Sequence, residues 1–136
     1  AVITVTGTDA YGATVVENIT LNGITAVAGK KAFKTITGVA SDATVTNGMF
    51  LGTGDVIGIP VFLPSAGHVL KEMADGVAAT AGTFVAGIRT SGGSTATTGD
   101  VRGTVDPNSA CDGAIVFQLL VALPDPGNIG IAQYAG

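Results

Sequence analysis

Two side chains of this sequence have types suited to acid–base or nucleophilic chemistry, His68 and Cys111, and each is the single residue of its kind. A histidine works as a general acid, a general base or a metal ligand only where other reactive or ligating groups converge on it. No HxH, HExxH or CxxC spacing occurs, and no base neighbours Cys111 in the sequence. We therefore predict an exposed turn for His68, a small packing or turn role for Cys111, and no catalytic residue, metal site or cofactor.

A second chemical feature is a basic cluster in which three of the six cationic residues fall within five positions: Lys30, Lys31 and Lys34. The simplest interpretation is the solvated end of a hairpin. The alternative is contact with an acidic surface of a partner protein, because electrostatic steering depends on local rather than net charge. With the intervening Phe33, these lysines are the candidate partner-contact residues.

Asp100 and Arg102 form the remaining candidate pair. Residues two positions apart on a strand project from the same face, so we predict an ion pair between them, or between subunits. An exposed pair of this kind would contribute only about 0 to 1 kcal/mol.

Composition limits the classes of function. Only 12% of residues are charged, the formal net charge is -4, and 46% are hydrophobic. Nucleic-acid affinity depends on Lys and Arg displacing counterions, so a nucleic-acid partner is disfavoured. Mean hydropathy is +0.53, yet no stretch approaches the 18 or so apolar residues of a membrane helix. We expect no membrane partner, and expect the excess apolar surface to be buried between subunits.

The first part of the chain predicts paired strands. Residues 2–6 and 13–21 alternate polar and apolar side chains, as strands with one buried face do, and should pair with each other. Asn22-Gly23 is a strong hairpin signal, so residues 24–28 are a candidate third strand.

The rest of the chain contains further strand candidates and two segments without periodicity. Pro60 places its segment at an edge or a bulge. The segment around Phe117 and Leu119 is apolar on both phases, which favours a central strand with those residues as anchors. We expect residues 91–99 to form a flexible small-residue loop, and the tail from about 124–136 either to lack a fixed position or to dock on a neighbour. The strand candidates are residues 33–39, 54–64, 83–89 and 114–123, while residues 69–74 are either a short strand or one helical turn.

Several short strands separated by turn signals, without an amphipathic helix, predict a single all-β domain over residues 1–136. We expect an antiparallel β-sandwich or barrel-like domain of jelly-roll or β-tulip type, with little or no helix.

Five motifs rich in small residues stand out along the chain: VTGTDAYG at 5–12, ENITLNG at 17–23, GKKAFKTI at 29–36, GTGDVIGIPV at 52–61 and TTGDVRGT at 97–104. Taken together, they resemble a group of tailed-phage virion proteins, the capsid decoration (cement) proteins. This resemblance implies a β-rich protein on the outer surface of an icosahedral head that bridges major capsid protein subunits, often as a trimer. Members of the group carry further sequence before the first motif, so a capsid-anchoring N-terminal arm is expected to be absent or differently built.

Taken together, these observations predict a non-enzymatic structural protein of a virion, a homo-oligomer for which a trimer is favoured, with the major capsid protein as its partner. Two alternatives remain. One is a receptor- or glycan-binding β module of a tail or spike, which the 5% aromatic content and absence of Trp disfavour. The other is a secreted filament or surface-layer subunit, which the small-residue composition also permits.

Overall fold

The computed structural model describes residues 1–89 and 100–124. Over these ranges the chain forms three antiparallel sheets of three strands each, and its helical content is a single 3-10 turn at Ala66–His68. The predicted all-β class is therefore confirmed. The strands are β1 (Val2–Thr8), β2 (Thr14–Thr20), β3 (Thr35–Ser41), β4 (Ile57–Gly58), β5 (Val69–Ala74), β6 (Val77–Ala78), β7 (Thr83–Ala86), β8 (Gly103–Asp106) and β9 (Phe117–Val121).

Sheet I has the order β2-β1-β3. The predicted pairing of the first two strands is confirmed, in an unbroken register from Val2↔Thr20 to Thr8↔Thr14. Alternation decides which side chains are buried, so Ile3 and Val5 point into the core from β1. An Asp-centred turn that begins at Asp9 joins the two strands.

The third strand of sheet I lies later in the chain than the Asn-Gly signal suggests. Asn22-Gly23 does form a turn, with an isolated bridge between Asn22 and Thr25, but residues 24–28 form no strand. The candidate at residues 33–39 is confirmed with a shift of two positions, as β3. The chain therefore crosses from the end of β2 to the far edge of β1 before it pairs again.

Sheet II has the order β4-β8-β7. The predicted strand at residues 54–64 lies at an edge as expected, but it is regular only over the two residues of β4. The chain then leaves the ladder at Pro60, which has no N–H to donate. Buried Leu63 follows, and its N–H donates to the carbonyl of Arg102 at 3.0 Å.

Sheet III has the order β6-β5-β9. Of the two options for residues 69–74, the strand is the one observed. The prediction of a central strand at residues 114–123 is wrong, because β9 lies at the edge of the described sheet. Its anchors Phe117 and Leu119 are only half-buried, and Leu120 is 55% exposed. Phe117 and Leu119 on one face of β9 line an open cleft, and Leu120 on its other face is exposed to solvent.

The core is small and joins sheets I and II. The large apolar residues that are fully buried in the described part of the chain number seven. None of them comes from sheet III: three belong to sheet I, and four lie in sheet II or close to it in the sequence. They are Ile3, Val5, Val15, Ile59, Leu63, Val101 and Val105.

Two predictions concern residues outside the described ranges: the loop at residues 91–99 and all of the tail beyond Pro124. Among the described residues, no helix is long and apolar enough to cross a membrane.

Candidate functional site: a buried charge cluster beneath the basic segment

A buried ion pair ties sheet I to sheet II. Nη2 of Arg102, just before β8, lies 2.8 Å from Oδ2 of Asp9, just after β1, with side chains only 2% and 1% exposed. The Tyr11 ring lies against the same guanidinium, 4.8 Å from its centroid to Cζ. The Tyr11 hydroxyl donates to the carbonyl oxygen of Pro60 at 2.6 Å. Asp9 therefore pairs with the arginine, and Tyr11 holds the segment that follows β4 through its hydrogen bond to Pro60.

Asp9 is well supplied with donors. Its Oδ1 accepts the N–H groups of Tyr11 at 2.8 Å and Ala13 at 2.9 Å, which also shapes the turn into β2. Burial alone would raise the pKa of Asp9, but the hydrogen bonds from Arg102 and these two amides outweigh it, and the pKa lies below its ordinary value. The pair is therefore ionised at neutral pH.

Glu17 is a second buried carboxylate, on the inward phase of β2. Its Oε1 accepts the N–H of Lys30 at 2.5 Å and its Oε2 accepts the N–H of Lys31 at 3.1 Å. Burial raises the pKa of Glu17, and the two amide hydrogen bonds oppose that rise only in part. A Cβ at Gly29 would lie 2.9 Å from Oε2, so the glycine gives the carboxylate access to the backbone.

Asp100 holds the other side of the same segment. Its Oδ2 accepts the N–H of Ala32 at 2.8 Å, and its Oδ1 accepts the N–H groups of Arg102 at 2.8 Å and Gly103 at 3.3 Å. Residues 30–32 are therefore held between two carboxylates that come from different sheets. The predicted neighbours Asp100 and Arg102 do meet, but through carboxylate and backbone amide, while the guanidinium pairs with Asp9.

The candidate contact residues divide into two groups. Lys30 and Lys34 are exposed, whereas Lys31 is only 7% exposed and Phe33 is half-buried. Burial lowers the pKa of Lys31, and the carboxylates of Glu17 and Asp100 oppose this effect. Of the three lysines, the structure therefore offers Lys30 and Lys34 to a partner, and Lys31 belongs to the interior.

Glycines let the basic segment lie against both sheets. A Cβ at Gly7 would overlap the carbonyl oxygen of Thr35 and come within 2.9 Å of the Phe33 ring. A Cβ at Gly58 would overlap that of Ala32. These close approaches explain why the motifs around β1 and β4 carry glycine at positions where the backbone itself is ordinary.

All five motifs of the resemblance contribute to this single cluster. The first provides Asp9 and Tyr11, the second Glu17, the third the clamped segment, the fourth Gly58 and Pro60, and the fifth Asp100 and Arg102. Sequence reasoning missed Asp9, Tyr11 and Glu17 as members. Glu17 carried a usable signal, because a charge on the apolar phase of an alternating strand requires a buried partner.

The two residues suited to chemistry lie away from this cluster. Nδ1 of His68 is 3.0 Å from the hydroxyl of Ser65, within the same 3-10 turn. Cys111 Sγ donates to the carbonyl of Asp55 at 3.2 Å, and burial, together with nearby carboxylates, raises the pKa of the thiol. A raised pKa disfavours the nucleophilic thiolate. Within residues 1–89 and 100–124, no three His, Cys, Asp or Glu side chains group as metal ligands would.

The surface of the described chain is unusually apolar. Fifteen large apolar or aromatic residues are exposed, against seven in the core. Ile24 and Phe50 have their side chains fully in solvent, and Met49 and Leu51 extend the second position into a run of three. Isolated apolar side chains are normal on protein surfaces. A surface that exposes more large apolar side chains than the core buries is typical of proteins that cover part of that surface in a complex.

A cleft of about 540 Å³ separates sheets II and III. Its walls include Ile57, Met73, Val77, Phe117 and Leu119. Among the described residues of its wall, the one carboxylate is that of Glu72, which accepts the N–H of Gly82 at 2.8 Å. The cleft therefore presents apolar surface, and that carboxylate is already engaged in holding the chain.

Comparison with known protein families, with curated proteins and with solved structures returned no match to this chain.

Proposed function

We propose that this protein is a non-enzymatic structural component of a phage virion, which decorates the outer capsid surface and stabilises it by bridging major capsid protein subunits as a homo-oligomer. The observation that carries the proposal is the excess of exposed over buried large apolar side chains, fifteen against seven. The resemblance of five motifs to phage decoration proteins supports the major capsid protein as the partner.

The apolar surface area that a capsid contact buries determines how much the contact stabilises the complex. Burial of apolar surface contributes about 25 cal/mol per Å², or roughly 1.5 to 3 kcal/mol for one fully buried Val, Leu, Ile or Phe side chain. Seven such residues are fully buried in the described part of the chain, so further apolar burial in a complex would add to the stability of the subunit. Burial of Ile24 and Phe50 against a shell would add stability to both the subunit and the shell.

The charged groups have separate tasks in this proposal. The buried cluster of Asp9, Glu17, Asp100 and Arg102 fixes the geometry of the two sheets, which gives the surface a defined shape. Lys30 and Lys34 stand exposed above it and steer the protein toward an acidic patch of the shell. Steering affects the rate of association more than the lifetime of the complex.

The test uses heads that lack the protein, purified protein added back, and paired variants. Ile24→Ser with Phe50→Ser removes two fully exposed apolar side chains, and Thr25→Ser with Thr53→Ser is the polar control. We expect the apolar variant to dissociate at least about tenfold faster, since the loss of 1.4 kcal/mol corresponds to a factor of ten. The control should match the native protein.

A second arm separates steering from adhesion. Lys30→Ala with Lys34→Ala should bind heads more slowly and dissociate at a nearly unchanged rate. Moderate salt should likewise slow binding without stripping the bound protein, because salt screens exposed charges over about 10 Å at 0.1 M and does not weaken apolar burial. Complete removal of the native protein by moderate salt, or full retention of the Ile24/Phe50 variant, would overturn the proposal.

A further inference from the structure

β3 is an edge strand without the usual protection against pairing. It lies at the outer edge of sheet I, and all seven of its residues are exposed. Natural edge strands are shielded by short length, charged side chains, proline or covering elements. The sequence of β3, TITGVAS, contains no charge and no proline. By contrast, the edge strands β4 and β6 have two residues each.

One protective device is present and is incomplete. The register between β1 and β3 shifts at Thr6/Gly7, opposite Thr37. A bulge increases the twist of an edge, but pairing with β1 continues on both sides of it, from Ser41 to Gly38 and from Ile36 to Thr35. The strand therefore remains one seven-residue template, and no other described strand pairs with its outer side.

The charges that flank β3 are complementary under a two-fold axis. Lys34 precedes the strand by one residue and Asp42 follows it by one, so each lies four residues from Gly38. If two copies paired antiparallel with Gly38 opposite Gly38, each Lys34 would face Asp42 of the other copy. Asp42 is already anchored at this edge, because its Oδ1 accepts the N–H of Val2 at 2.8 Å.

The remaining pairs in that register are also compatible. Ile36 would face Ala40, which sets a large apolar side chain beside a small one. Gly38 has no atom within 4 Å of the Cβ position, so the centre of the contact is open to a second backbone. A self-complementary patch of this kind is what an isologous contact requires.

We propose that β3 pairs antiparallel with β3 of a second copy of this chain about a two-fold axis at Gly38, joining two three-stranded sheets into one of six strands and forming two Lys34–Asp42 ion pairs. The occupant is a second copy because the two members of the complementary charge pair flank the same strand, one at each end. This contact goes beyond the proposed capsid role, and it can be tested with the purified chain in solution without a capsid.

The first test uses charge reversal and recombination. Lys34→Glu alone places two acidic pairs in the contact, and Asp42→Lys alone places two basic pairs there. We expect each variant to dimerise at least about tenfold more weakly than the native chain, since directly opposed like charges destabilise paired strands. An equimolar mixture should form a heterodimer, because both of its pairs are then opposite in charge. Analytical ultracentrifugation of the two variants and of their mixture gives the three constants.

The second test is a cross-link that requires the two-fold axis. In a Cys111→Ser background, Gly38→Cys should form a disulfide-linked dimer, because directly opposed residues have Cα atoms about 4.5 to 5.5 Å apart, within disulfide range. Ala40→Cys is the matched control on the same strand. Its two copies would lie about 13 Å apart along the strand direction at 3.3 Å per residue, and should not cross-link.

Three results would overturn the proposal. These are a native chain that stays monomeric at high concentration, a mixture of the charge variants that associates no better than its components, and equal rates of cross-linking at positions 38 and 40. Retained heterodimer formation in the mixture supports the proposal even if one of the cysteine variants folds poorly.

Discussion

The buried Asp9–Arg102 pair allows the sharpest prediction about stability. Asp9→Asn keeps Oδ1, which accepts the N–H groups of Tyr11 and Ala13 and so preserves the turn. It replaces Oδ2, 2.8 Å from Arg102 Nη2, by an amide nitrogen that only donates. A guanidinium that is 2% exposed then lacks its counter-ion. Removal of one partner from a buried pair costs about 3 to 5 kcal/mol.

The reverse variant should cost less. Arg102→Met removes the charge and leaves Asp9 with its two amide donors, so the remaining carboxylate is still partly satisfied. The double variant Asp9→Asn/Arg102→Met leaves no buried charge at the pair, and we expect it to recover much of the loss caused by Asp9→Asn alone, because apolar replacement of buried pairs is often neutral. The predicted order of destabilisation is therefore Asp9→Asn first, then either of the other two.

Urea unfolding followed by circular dichroism at one fixed protein concentration measures this order. The control is Asp112→Asn, an exposed carboxylate that accepts one backbone N–H, from Ala114, for which we expect a change of no more than about 1 kcal/mol. A destabilisation by Asp9→Asn as small as that of the control, or a double variant that is the least stable of all, would refute the assignment of the pair as the link between sheets I and II.

Three further predictions follow from the same contacts. Gly7→Ala should destabilise by about 1 to 3 kcal/mol, because its Cβ overlaps the Thr35 carbonyl, whereas Gly38→Ala meets open space and should be neutral or slightly stabilising; equal melting temperatures would contradict this. Because burial raises the folded pKa of Glu17 above 4.5, its favourable contribution is present at low pH and is lost as pH rises through the folded value. The free energy of unfolding of the native chain relative to Glu17→Gln should therefore fall as the pH rises above about 4.5, and a rise would show the opposite shift. Phe117→Ala should cost about 1 to 2 kcal/mol, less than full burial would give, since the side chain is half-buried at an edge; a loss of 4 kcal/mol or more by urea unfolding would show that it anchors a core.

The first two strands of sheet I were predictable because their burial is one-sided. Alternation in β1 and β2 encodes which face meets the core, and the short turn at Asp9 forces them to pair. The segment around Phe117 was wrongly predicted to be a central strand because both of its faces are apolar. Apolar residues on both phases indicate exclusion from water on two faces, and sequence does not distinguish burial in a core from exposure to a cleft or to a partner.

The charge cluster lay largely beyond sequence reasoning because its contacts are long-range. Asp9 and Arg102 are 93 positions apart, and Glu17 and Asp100 hold the basic segment through backbone amides, which carry no residue identity. Proximity of Asp100 to Arg102 was predictable from spacing. Which of the three lysines is buried was not, since it depends on two carboxylates from different sheets meeting at Lys31.

The central claim is that this chain is a component of the outer capsid surface. Quantitative mass spectrometry of purified, intact heads measures its copy number against the major capsid protein. We predict a fixed ratio characteristic of sites repeated over the whole shell, and we expect the copies in intact particles to be accessible to antibody from outside. Absence from intact heads, or a few copies confined to the tail, would contradict it.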